Sequence, residues 1–100
     1  MSLPEELADR LLQAVIEGRF AAESALPPEG ELAQTHGVSR LTVREAVRIL
    51  RSKNVVEIRR GRGTFVTPPE RWTSLEALVQ WSLNFAATTG RVTAERSNLR

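Results

Sequence analysis

The chain has 100 residues, 41% of them hydrophobic, which suits one small domain with a modest core and is too ordinary for a disordered polymer. It has no cysteine and a single histidine, His36, which excludes disulfide frameworks, thiolate zinc sites and histidine clusters. The net charge of +2 hides a division: two Arg face seven acidic residues over 1–39, seven Arg and one Lys face only Glu45 and Glu57 over 40–63, and four Arg face three Glu over 64–100. The three nets are −5, +6 and +1, so the positive charge is concentrated in the middle stretch and is almost entirely Arg. Guanidinium suits bidentate contacts to phosphates and base edges better than ammonium does. Apolar runs are only a few residues long and the N-terminus is acidic, without a signal-peptide pattern. No membrane span is therefore expected, and the cytoplasm is the expected location.

Pro4 to Phe20 reads as a helix, with Leu7, Leu11, Leu12, Val15 and Ile16 at helical spacing and Gly18 as its stop signal. "AAESALPP" reads as a loop whose paired prolines hold the chain extended. A short helix is expected over Glu29–Thr35, with Leu32 and Ala33 inward and Gly37 ending it. Val38 should plug the corner, and Ser39 should cap a helix from Arg40 to about Ser52. Two helices joined by a tight Gly-containing turn form a helix-turn-helix. The pattern then changes period: strands are expected near Val55–Ile58 and Thr64–Thr67, joined by the glycine-bearing "RRGRG". Pro68 and Pro69 stop the second strand, so the domain is placed at 1–69, with 70–100 as linker and helix. In the last helix Thr73 and Glu76 have capping-box spacing; Leu75, Leu78, Val79, Ser82, Phe85 and Ala86 make the inward stripe; and Gly90 is the stop. The tail "RVTAERSNLR" has weak periodicity and is expected to be loose.

The fold class is thus mainly α with a small β-hairpin: a winged helix-turn-helix of three helices and a two-stranded wing, followed by a C-terminal helix. Its second helix-turn-helix element, "VSRLTVREAVRIL", carries two stripes side by side. Val43, Ala46, Val47 and Leu50 belong to the core, while Arg40, Arg44, Arg48 and Arg51 face outward. A solvated helix face accounts for such an Arg stripe on charge alone. Combined with the wing, a DNA-reading face accounts for more. An α-helix fits the major groove, and residues near the helix N-terminus reach base edges, here Arg40, Leu41, Thr42 and Arg44. Arg48 and Arg51 lie further along and suit phosphates. The hairpin tip, with Arg59, Arg60, Gly61 and Arg62, suits the neighbouring minor groove, where glycine allows close approach and Arg favours the negative potential.

"LPPEGELAQTHGVSRLTVREAVRIL" followed by "RRGRGTFV" resembles the DNA-binding domain of the GntR family of bacterial transcription regulators, over roughly Leu7 to Val66. The resemblance implies DNA contact for Ser39, Arg40, Thr42 and Arg44 and for the wing tip around Arg60 and Gly61. It also implies a homodimer on a double-stranded, pseudo-palindromic operator, acting as a metabolite-responsive repressor. Four departures stand out. Gly30 lies where the family often has Arg. Pro28 removes the usual Ser cap of the second helix. Leu41 replaces a small or polar residue, and Asn54 replaces a frequent Gly before the wing, where Asn tolerates left-handed geometry.

About 30 residues follow the wing, too few for the effector-binding domain of such regulators. "PPERWTSLEALVQWSL" is similar to the opening of the all-helical effector domain of the FadR-like branch, so a truncated N-terminal domain is expected, with the effector bound by a C-terminal domain absent from this chain. The competing view is a small protein that dimerises through this helix. Trp72 and Trp81 are expected to anchor the last helix rather than stack on bases, and Phe65 to sit in the core behind the wing. No cofactor is expected. A winged-helix protein-interaction module binding an acidic partner is the alternative in another class, disfavoured because it needs no basic wing. A sensor is disfavoured because the last helix has no polar cluster, and an enzyme because no acid–base pair or activated nucleophile can be assembled.

Overall fold

A computed structural model describes the backbone of residues 1–98 and the side chains of residues 1–89. Helix α1 spans Leu3–Ile16, α2 Glu29–His36, α3 Arg40–Ser52 and α4 Leu75–Asn98; strands β1, Val56–Arg59, and β2, Gly63–Val66, form an antiparallel hairpin; and a 3-10 turn covers Pro69–Arg71. This is the expected winged helix-turn-helix architecture.

Local chemistry sets most of these boundaries. Ser2 caps α1 by accepting from the Glu5 amide at 3.2 Å, and Pro4 sits in the first turn, where no amide partner is needed. The helix ends at Ile16, four residues before Phe20, because Gly18 turns left-handed at φ 84° and releases the chain. Helix α2 has no side-chain cap, as Pro28 implies, and Gly37 closes it at φ 64°. Ser39 caps α3, its Oγ accepting from the Thr42 amide at 3.1 Å. Asn54, at φ 58°, makes the left-handed corner before β1.

The core lies where α1 and α3 cross, and Leu11, Leu12, Val43, Ala46 and Leu50 are sealed there. Val55, Val56 and Val66 continue it under the hairpin. Segment 23–26 runs along the outer edge of β2: the Glu23 amide donates to Val66 O at 2.7 Å, Val66 N to Ser24 O at 2.9 Å and Leu26 N to Thr64 O at 2.8 Å. The wing is thereby tied to the loop before α2, a pairing that the sequence pattern did not indicate.

The last helix differs from expectation in three respects. Its cap is Ser74, whose Oγ accepts from the Ala77 amide at 3.2 Å; Thr73 instead accepts from Asn54 Nδ2 at 3.0 Å, so the Thr73–Glu76 capping box does not form. Its inward face is Ala77, Leu78 and Trp81, whereas Leu75, Val79 and Phe85 point outward. Gly90 does not stop it, and the helical backbone runs through most of the tail expected to be loose. Trp72 does anchor this region, buried with Nε1 donating to Thr67 O at 3.1 Å.

Candidate nucleic-acid interface

The arginines of the middle stretch fall into two groups. Arg40, Arg44, Arg48 and Arg51 are all exposed on the outward face of α3, because spacing by three and four holds them opposite Val43, Ala46 and Leu50. Ser39 and Leu41 are exposed beside them, and Thr42 is half-buried, its hydroxyl 3.0 Å from Ser39 Oγ. The wing supplies the second group. Arg59 pairs with Gly63 across the ladder, and Arg60, Gly61 and Arg62 form the loop. The Arg62 amide donates to Arg59 O at 2.9 Å and Gly61 lies at φ 74°, the left-handed third position of a tight turn that glycine fills without steric cost.

A concavity of about 350 Å³ lies between α3 and the hairpin. Leu26, Pro27, Val47 and Ile58 line it together with Arg44, Arg48 and Arg51. Three of the four α3 arginines therefore border a single groove with the wing. The side chains of Arg48, Arg51 and Arg60 have no hydrogen-bond or ion-pair partner among the described residues, so their full charge faces solvent.

Two arginines are engaged. Arg44 donates from Nε to Glu29 Oε2 and from Nη2 to Glu29 Oε1, both at 3.0 Å. These hydrogen bonds lower the Glu29 pKa, with the charges of Arg44 and Arg40 acting in the same direction, and raise that of Arg44. Arg59 is not at the tip. It bridges Glu23 and Glu57, each at 2.9 Å, and lies over the Phe65 ring at 4.3 Å. Its pKa is raised by the hydrogen bond to Glu23 and then by that to Glu57. Phe65, expected in the core, is half-buried on the wing, flanked by Arg59 and, at 5.3 Å, by Arg62. The apolar core ends at Val56 and Val66, and the ring lies where a guanidinium covers it.

Sequence reasoning missed the carboxylates. Glu29 and Glu23 are 15 and 36 residues from their arginines, beyond any local pattern. Among the described residues, no group of three His, Asp or Glu could hold a metal ion, and no helix is long and apolar enough to cross a membrane.

Residues 3–66 match the family of bacterial regulatory proteins designated gntR. This chain belongs to the GntR family. The family consists of transcription regulators rather than enzymes. The galactonate operon transcriptional repressor of Escherichia coli is 37% identical over 70 residues, covering 69% of this chain and 31% of that protein. The E. coli repressor MngR, of the mannosyl-D-glycerate transport/metabolism system, is 39% identical over 64 residues, covering 64% and 27%. The chain thus spans about a third of the length of the curated relatives it matches. Among solved structures, Streptococcus agalactiae GntR superposes with a TM-score of 0.61 at 41% identity, covering 68% of this chain and 32% of that one. The AraR DNA-binding domain, solved with its operator, superposes with a TM-score of 0.63 at 30% identity, covering 67% and 81%.

Proposed function

We propose that this GntR-family chain is the operator-reading part of a cytoplasmic transcription regulator, a repressor that binds double-stranded DNA as a homodimer on a pseudo-palindrome. The observation that carries this reading is the shared groove: Arg44, Arg48 and Arg51 of α3 and the inner face of the wing border one concavity, so helix and hairpin meet one duplex together. In this reading Ser39, Arg40, Leu41, Thr42 and Arg44 lie at the base edges, Arg48 and Arg51 at phosphates, and Arg60, Gly61 and Arg62 in the adjacent minor groove. Arg59 supports the tip from below, because its two ion pairs and Phe65 hold it in the hairpin body. Residues 1–69 form the DNA-binding unit and 70–100 lead toward dimerisation. The metabolite that controls affinity binds outside this chain, in a region corresponding to the other two thirds of the relatives.

The test is selection from a random duplex pool, with affinity followed against salt. Enrichment of a palindrome with a steep salt slope is the expected result. Weak binding without a salt slope would overturn the reading in favour of an acidic protein partner. Arg51→Ala should weaken all sequences alike and flatten the slope by about one unit. Arg44→Ala should cost about 1–3 kcal/mol on the selected site and relax choice at one base pair.

A further inference from the structure

Helix α2 begins against the first turns of α3, and its first two residues each meet one arginine. Glu29 holds Arg44 by two parallel hydrogen bonds of 3.0 Å through Nε and Nη2. That leaves Nη1 and the second Nη2 proton pointing away from the carboxylate, and the Arg44 side chain is still 66% exposed. A guanidinium fixed along one edge presents its other edge in one orientation, as bidentate reading of a guanine needs. The next residue, Gly30, is ordinary helix with no left-handed requirement. It has a different consequence: a Cβ built there would lie 2.8 Å from Nη2 and 3.1 Å from Cζ of Arg40. The Arg40 guanidinium therefore rests over the glycine, in the space a side chain would take.

We propose that Glu29 and Gly30 are specificity-determining positioning residues: the carboxylate aims Arg44, the missing side chain seats Arg40, and the two arginines meet DNA as one preset pair. Neither residue touches a base; each acts through its arginine. The inference rests on the DNA-reading function proposed above. A carboxylate beside phosphates would, on charge alone, weaken binding to every sequence. Positioning gives the opposite signature, with specific binding lost when the carboxylate is neutralised.

The test uses the whole chain, with a half-site duplex enriched by the wild-type chain, its single-base variants and a scrambled duplex of equal length. Glu29→Gln is expected to bind scrambled DNA as well as or better than wild type, yet to lose about fivefold or more of its half-site preference at one base pair. In the background of Arg44→Ala the same change should have no further effect on preference, since its only route is gone. Gly30→Ala should melt no lower than wild type, because alanine favours helix and the displaced group is the end of a flexible side chain. It should nevertheless shift preference at a different base pair, the one facing Arg40. Preference ratios unchanged within about twofold in both variants, or equal weakening on half-site and scrambled duplex, would overturn the proposal. So would a loss in Glu29→Gln that persists in full on the Arg44→Ala background. If wild type itself prefers no sequence, the DNA-reading function fails first, a result visible before any variant is made.

Discussion

Helices α3 and α4 are built from similar material and use it in opposite ways. Each carries apolar residues at intervals of three and four, and each is capped by a serine. In α3 the apolar stripe is sealed: Val43, Ala46 and Leu50 are closed against α1, and every arginine is left on the far side. In α4 large apolar residues lie on both sides: Leu75, Leu83 and Phe85 are 77%, 66% and 59% accessible, while Ala77 is fully buried and Leu78 and Trp81 pack against the core. The difference lies in how closely the backbone approaches the core. Helix α4 meets the core at its first turns, just after Trp72 hydrogen-bonds Thr67 O, and there Ala77 is sealed while Leu78 and Trp81 are only partly covered. Burial thus follows the geometry of approach rather than the apolar content of a face.

Truncation at equivalent leucines breaks this comparison most sharply. Leu50→Ala should cost about 2–5 kcal/mol, since it removes a fully buried side chain and opens a cavity between α1 and α3. Leu83→Ala should stay within about 0.5 kcal/mol, because its side chain is already in water. Denaturant titration of the two variants measures the gap directly. Equal losses would mean that the outer face of α4 is covered in solution by something beyond the described residues.

The caps give a smaller contrast. Ser39→Ala and Ser74→Ala should each cost about 1 kcal/mol, because each hydroxyl accepts from an otherwise orphaned amide at 3.1 and 3.2 Å. Glu76→Ala should cost less than Ser74→Ala, since Glu76 makes no reciprocal cap. Thermal melts of the three variants rank them; a larger loss at Glu76 would restore the capping box that the structure lacks.

The same contrast explains what was legible in the sequence. Helix α3 declares itself locally: Ser39 caps, the apolar stripe is narrow, and arginine fills the rest, so its bounds and outward face were readable residue by residue. The wing strands were readable to within one residue, because alternation and two glycines suffice. In α4 apolar residues occur on more than one face, and periodicity cannot choose among them; contact with α1, such as Asn84 Nδ2 donating to Ile16 O at 3.4 Å, decides. The edge pairing of Ala25 with Phe65 left no signal, since one bridge imposes no alternation. In the arginine face the cations were visible but their anchors were not, because Glu23 and Glu29 reach them across the fold.

That anchoring yields the smallest and most local prediction on the α3 side. The Arg44 hydrogen bonds depress the Glu29 pKa below its ordinary value of 4.5, so folding favours the ionised carboxylate. A depressed acid contributes stability above its unfolded pKa and loses it as pH falls through the folded one. The contribution of the pair should therefore be complete at neutral pH and disappear below 4.5. It is modest, because both partners are solvated and screened. Melting wild type and Glu29→Gln in parallel from pH 7 downward isolates it: the two curves should be separated at neutral pH and converge in acid. The convergence should shift little on adding Leu83→Ala, since the hydrogen bonds of this pair run only between Glu29 and Arg44 among the described residues. A gap that persists into acid would mean that the difference between the two side chains does not come from ionisation, and that the charge of Glu29 on Arg44 is incidental to stability.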